Sequence, residues 1–251
     1  MQPFILRVTL IVALLVLLEM LRRLDLVGPL LLASPSEIAQ ALIQSMGEFL
    51  SAFRLTLVEI VCAILISWIL GVAVGAVTGM IAFLGAVTGP VLSALFAVPL
   101  ITWYPLFMVW FGIGSASKIA YAVISGFFPV AINTLNGIRG LDRRYVVFSR
   151  SIGCSRAQMI FRVLMPMTLP SVIAGLRIGT ALAVIGVIVA EMLGSLGGIG
   201  YLITYYRTLY STGHVYLGIL FALLCALVAN WALNAVERRF TRWRDLQISQ
   251  K

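Results

Sequence analysis

Charge is scarce in this chain: only 11% of its 251 residues are Asp, Glu, Lys or Arg, against 61% hydrophobic. Soluble domains run at about a quarter charged and half apolar, so a water-soluble globular fold is excluded and the chain reads as a polytopic membrane protein. Lysine is nearly absent, with Lys118 and Lys251 alone. A phosphate-binding G-x-x-x-x-G-K-[ST] loop needs its lysine on the phosphates. Lys118 follows Ser117 and Lys251 is the last residue of the sequence, so nucleotide hydrolysis by this chain is excluded. A single histidine, His214, rules out a histidine pair for zinc and supports no Ser-His or Cys-His arrangement. The three cysteines, Cys62, Cys154 and Cys225, have no metal-type spacing, and their odd number argues against a full disulfide framework. They read as packing or loop residues. The expectation is therefore a non-enzymatic chain without catalytic residues, cofactor-binding residues or metal ligands.

The charge that is present is concentrated. The net charge is +9, yet it is not a nucleic-acid signal, because most of it lies in two segments. Residues 139–170 carry Arg139, Arg143, Arg144, Arg150, Arg156 and Arg162 against Asp142 alone, and the tail carries Arg238, Arg239, Arg242, Arg244 and Lys251. Loops this basic belong on the cytoplasmic side of a membrane, and basic span ends also anchor to anionic headgroups. Residues 139–170 read as two short helices joined at Gly153. The first covers 143–152; the second, 157–164, has Ser155 as its N-cap and is stopped by Pro166.

Six spans are expected, at about 4–21, 57–83, 86–112, 119–138, 174–193 and 216–236, since ~20 apolar residues cross ~30 Å of hydrocarbon. No small-x-small cleavage site closely follows the first apolar run, which favours a span over a signal peptide. Arg22 and Arg23 would orient that span the other way, but the charge elsewhere outweighs them and puts both termini in the cytoplasm. Residues 34–53 read as an amphipathic helix of modest length, separate from the second span and capped by Ser36, with Ile38, Leu42, Ile43 and Met46 on one face, lying at the outer surface or packed across the bundle. In the second span Gly71, Gly75 and Gly79 share a face, a small-xxx-small row suited to helix packing. Pro90, Pro99 and Pro105 interrupt the third and should bend it toward protein or a cavity. Asn133 and Asn136 in the fourth would bond a neighbouring helix or line a polar pathway. Glu191 ends the fifth, before a glycine-rich break and a tyrosine-rich segment suited to the interface.

Ionisable residues within spans are few. Glu59 and Glu191 lie near span ends, where they are expected to snorkel toward water. The lack of mid-membrane acids weighs against a proton- or sodium-coupled carrier. That class, carrier or channel, remains the alternative reading, and a membrane scaffold without transport is a third.

The basic loop resembles the cytoplasmic EAA loop of permease subunits of binding-protein-dependent ABC importers, with the pattern E-A-A-x-x-x-G-x9-I-x-L-P. Its glycine falls on Gly153, I-x-L on Val163, Leu164 and Met165, and its proline on Pro166. The E-A-A positions hold Val147, Phe148 and Ser149, so the glutamate is missing. VPLITWYPLFMVWFGIG, FFPVAINTLNGIR and VAEMLGSLGGIGYLI extend the likeness to the branch for sulfonates, taurine and nitrate, over residues 35–244. Glu59 departs from the arginine common in that branch.

The resemblance implies a single transmembrane permease domain over 1–251, all-α, with the type I ABC importer permease fold. It implies a second copy of the permease as a homodimer, two cytoplasmic ABC ATPase subunits that bind ATP and Mg, and a periplasmic or lipid-anchored substrate-binding protein, in a bacterial inner membrane. Val147, Phe148, Ser149, Gly153, Ser155, Ala157, Val163 and Pro166 would form the ATPase-coupling surface. Pro99, Pro105, Asn133 and Glu191 would border the translocation pathway of a small organic or inorganic anion.

Overall fold

The computed structural model describes residues 2–28 and 30–248, leaving aside the side chains of residues 2–5, 8, 11, 143, 146, 150, 156, 157, 160, 161 and 239–248. Every regular element among the described residues is helical. This is the solution a bilayer permits, because hydrocarbon offers backbone N–H and C=O groups no partner and a helix satisfies its own. The elements are α1 (Gln2–Arg23), α2 (Pro35–Met80), α3 (Ala82–Ala97), a 3-10 turn (Leu100–Trp103), α4 (Tyr104–Phe111), α5 (Ser115–Arg139), α6 (Arg143–Ser151), α7 (Arg156–Met159), a π-turn (Ile160–Leu164), α8 (Met165–Gly194), α9 (Ile199–Thr208) and α10 (Thr212–Ile248). Four described stretches are long and apolar enough to cross a membrane: Pro35–Met80, Ser115–Arg139, Arg162–Thr208 and Thr212–Arg238. Ala82–Ala97 with Leu100–Phe111 makes a fifth where its two halves count as one crossing.

Those two halves meet at 85°. The bend expected from the prolines is located at Pro99, which has no N–H to continue the helical ladder. Its carbonyl accepts from the Thr102 hydroxyl at 2.7 Å and the Thr102 N–H at 3.0 Å. Pro105 sits in the first turn of α4, where a missing N–H is harmless.

The chain divides into two compact units, Met1–Leu57 with Glu191–Cys225 and Val58–Ala190 with Ala226–Lys251. The first is built on Ala41, Phe49 and Ala52 of α2, Ile199, Leu202 and Ile203 of α9, and Leu217 of α10. Here the structure corrects the sequence reading: residues 34–53 are not a separate helix. α2 runs from Pro35 to Met80 with a single kink at Ser45, where φ is −122° and ψ is 19°. The Ser45 hydroxyl lies 3.1 Å from His214 Nε2, and His214 Nδ1 lies 2.8 Å from the Ser211 hydroxyl. The imidazole also stacks on Tyr206, with ring centroids 4.2 Å apart, so the histidine is engaged in packing the kink. Ile38 and Leu42 face the core as expected, but Ile43 is 82% exposed and Met46 also points outward. Lipid is as apolar as a core, so apolar periodicity does not say which face turns inward.

The second unit is organised by α5. Methyl groups added at Gly71, Gly75 and Gly79 would lie 2.6, 2.6 and 3.0 Å from the Cβ atoms of Val130, Thr134 and Ile138. The glycine row of α2 is thus a close-approach seam, as its spacing suggests. α8 meets α5 in the same manner, since a methyl at Gly179 would lie 2.6 Å from Val130 Cγ2 and one at Gly175 2.8 Å from Asn133 Cβ. Trp68 Nε1 donates to the Thr180 hydroxyl at 3.1 Å, tying α2 to α8. Leu92 of α3 packs with Phe128, Ala131 and Leu135 of α5, and Tyr104 and Phe107 of α4 pack with Tyr121 and Ala190.

Candidate functional site

Between α5 and α8 the chain leaves the bundle as a helix-turn-helix, and its local chemistry explains the shape. α6 ends in a left-handed residue, Gly153 at φ +74°, and the Cys154 N–H donates to the Ser149 carbonyl at 3.0 Å. This is the six-to-one bond of a glycine-terminated helix. α7 then opens on a capping box: the Ser155 hydroxyl accepts from the Gln158 N–H at 3.2 Å, and Gln158 Oε1 accepts from the Ser155 N–H at 2.9 Å. Gly153 and Ser155 therefore have the roles read from the sequence. Pro166 does not. It sits at the second position of α8, and α7 passes through the π-turn into α8 without a non-helical residue. A proline in the first turn of a segment gives up an N–H the π-turn does not use in the α pattern, so it does not act as a stop.

Among the proposed coupling residues, Val147 and Phe148 are 59% and 63% exposed. With Arg144 and Ser151 they line an open hollow of about 510 Å³. Ser149 is buried, its hydroxyl donating to the Tyr145 carbonyl at 2.7 Å. It therefore serves α6 internally instead of facing outward. Val163 and Pro166 are half-buried. The side chain of Ala157 lies outside the described residues.

The first unit holds a second polar arrangement that the sequence reading saw only in part. Glu191 is 1% exposed, so the expected snorkelling does not occur. One carboxylate oxygen accepts from the Thr56 hydroxyl at 2.7 Å and the other from the Gly200 N–H at 2.8 Å, while Thr56 Oγ1 accepts from the Ile199 N–H at 2.9 Å. The acid and the threonine thus cap the free N–H groups and the positive end of α9. Gly198, at φ +108°, lies against the carboxylate so closely that a side chain there would overlap it. The glycine-rich break is what lets the chain turn back onto its own acid.

The second unit corrects the reading of Glu59 as well. It is 1% exposed and its Oε1 lies 2.7 Å from Lys118 Nζ, a lysine that is 2% exposed. Neutralisation by a partner replaces the expected reach toward water; the lysine is 59 positions away, and no local pattern links the two. Asn133 departs in a smaller way. Its Nδ2 donates to the Pro129 carbonyl at 2.8 Å, inside its own helix, and among the described residues it bonds no neighbouring helix. Pro99, Pro105 and Asn133 all lie in the second unit, and Glu191 in the first.

Among the described residues the chain is all-helical, with several stretches able to cross a membrane and a compact helix-turn-helix between two of them, the architecture of a polytopic membrane protein. The chain belongs to the family described as the inner membrane component of binding-protein-dependent transport systems, which it matches over residues 69–242. Its relatives include the provisionally named aliphatic sulfonates transport permease protein SsuC of Bacillus subtilis (strain 168), 32% identical with 79% of this chain and 72% of the relative covered. The taurine transport system permease protein TauC of Escherichia coli (strain K12) is 29% identical, with 88% and 82% covered. The formylaminopyrimidine transport permease protein ThiX of Halalkalibacterium halodurans is 32% identical, with 87% and 88% covered. Among solved structures, an inward-facing form of the MetNI methionine ABC transporter matches with a TM-score of 0.67 at 18% identity, over 79% of this chain and 98% of that one. That likeness identifies the fold as the one used by ABC importer permeases.

Proposed function

We propose that this chain is the membrane-spanning subunit of an ATP-driven importer, forming the translocation pathway for a small solute handed over by a substrate-binding protein. The observation that carries the reading is the α6–α7 corner with its exposed Val147 and Phe148. Large apolar side chains on a basic loop that faces the cytoplasm serve a protein partner better than water. The partners are two ATPase subunits, which hold ATP and Mg, and a second copy of this chain, completing a homodimeric permease. The domain is the whole chain, with six crossings and both termini in the cytoplasm of a bacterial cell. ATP must favour one conformation of the assembly over the other, and the docked corner conveys that preference. Pro99, Pro105 and Asn133, all of the second unit, lie along the pathway, whereas Glu191 is buried as the cap of α9. The cargo is a small anion such as a sulfonate or nitrate, in line with the names of several relatives.

The test is assembly and energisation. The wild-type permease should co-purify with its ATPase subunits, and the variant Val147→Asp with Phe148→Asp should lose them while keeping its helical circular dichroism. Reconstituted with the binding protein, the complex should take up labelled taurine or nitrate only with Mg-ATP. Uptake by the permease alone under an ion gradient would overturn the reading in favour of a secondary carrier.

A further inference from the structure

α2 and α5 are parallel and share one register. Glu59 meets Lys118, and the close approaches pair Ser67 with Gly126, Gly71 with Val130, Gly75 with Thr134 and Gly79 with Ile138. Each residue of α5 lies 59 positions beyond its partner (118 − 59, 126 − 67, 130 − 71, 134 − 75, 138 − 79). The lower part of this seam repeats every four residues on both sides: three glycine gaps on α2 face three β-branched side chains on α5. A repeat of four is one helical turn, so sliding α5 by one turn, about 6 Å, places Val130 at Gly75 and Thr134 at Gly79. The seam gives close contact but does not by itself select one register. Slid that way, this stretch would keep two of its three side chains in glycine gaps, while farther along Ala122 would come to Ser67, where a β-carbon at Gly126 would already stand 2.9 Å from the hydroxyl.

We infer that the Glu59–Lys118 ion pair is a register-setting contact of the permease, acting with the Ser67–Gly126 approach to select the one alignment of α2 and α5 that the three-glycine stretch leaves open. The pair does not repeat. One turn in either direction brings Glu59 opposite residue 114 or 122, Gly114 or Ala122, and leaves two buried charges apart in a medium that tolerates neither. A single buried polar contact that fixes the alignment of otherwise repetitive helices is the best-attested use of such groups. The function served is positional: α5 ends at Arg139, three residues before α6 begins, so its axial setting fixes the height at which α6 starts. At that end Arg139 Nη1 donates to the Gly85 carbonyl at 2.7 Å, a contact a slide of one turn would break. Glu59 and Lys118 are positioning residues.

The test uses the full permease–ATPase complex in nanodiscs, in a background lacking Cys62, Cys154 and Cys225. Spin labels go on cysteines replacing Leu65 of α2 and Asn136 of α5, both exposed. They are separated along the axis by about 18 Å, so a one-turn slide changes their distance by about 5 Å. With labelled permease diluted by unlabelled copies so that each complex carries one labelled chain, the wild-type pair should give one narrow distance. The apolar replacement Glu59→Leu with Lys118→Met, which fills the space without charge, should add a second distance shifted by that amount and reduce Mg-ATP hydrolysis by the complex at least fivefold. The exchanged pair Glu59→Lys with Lys118→Glu should restore a single distance, with hydrolysis within about threefold of wild type. A single wild-type distance in the apolar variant overturns the inference, whatever the hydrolysis rate. An exchanged pair that keeps two distances overturns it as well. Because the distances are read without cargo or uptake, the result is separate from the importer reading, on which only the hydrolysis arm depends.

Discussion

Substitution at Gly153 isolates backbone conformation from size, because a β-carbon there meets no atom of the described residues within 4 Å. What opposes a side chain is φ, which is +74°. An L-residue in the left-handed region costs about 1–2 kcal/mol, while asparagine tolerates it far better. On the proposed coupling role, the ATPase binds only the fraction of permease that retains the turn. The apparent dissociation constant rises as that fraction falls. Since 1.4 kcal/mol is a factor of ten, Gly153→Ala should weaken ATPase binding by at most about 5- to 30-fold. Gly153→Val should be worse, and Gly153→Asn should stay within about threefold of wild type. Titrating labelled ATPase subunits onto the permease in nanodiscs gives these constants directly. If Gly153→Val binds like wild type, the turn does not govern docking. If Gly153→Asn fails as badly as valine, conformation is not the cause.

Other outcomes follow from the buried contacts. Glu191→Ala removes the acceptor for both the Thr56 hydroxyl and the Gly200 N–H. At about 1.5–3 kcal/mol for each bond to a charged group, it should sharply lower the thermal unfolding midpoint of the detergent-solubilised permease; Glu191→Gln should recover part of the loss, and equal midpoints for all three would contradict the capping role. Gly75→Leu forces a side chain against the Ala131 carbonyl, 2.5 Å from where its β-carbon must stand. It should abolish accumulation of folded protein, as judged by size-exclusion chromatography, and a well-behaved variant would show that α2 and α5 are not held at this spacing.

How much of this was legible in the sequence depends on what the bilayer forces the sequence to declare. Spans are legible because a crossing needs a long apolar run. The α6–α7 corner is legible because turns have their own chemistry, a glycine at the left-handed position and a serine at the cap. The continuity of α2 is not: Glu37, Gln40, Gln44 and Glu48 make residues 34–53 look like a separate surface helix, and nothing at Ser45 announces a kink instead of an end. Nor is the fate of the buried acids. Glu59 and Lys118 read as two isolated ionisable residues until the helices are laid side by side, and Glu191 reads as a span-end acid until the glycine break folds back on it. Where no row of small residues marks it, the inward apolar face is illegible: Ile43 and Leu42 are adjacent and equally greasy, yet Leu42 packs on the core and Ile43 is 82% exposed.

The two ends of the α6–α7 corner are joined to the membrane differently. On the α5 side three non-helical residues, 140–142, intervene, while on the α8 side the helix is unbroken from Arg156 to Gly194, with only the wider π-turn at Ile160–Leu164. The α8 side keeps its helical ladder apart from the N–H groups missing at Pro166 and Pro170, so a displacement of the corner is taken up first at residues 140–142 on the α5 side.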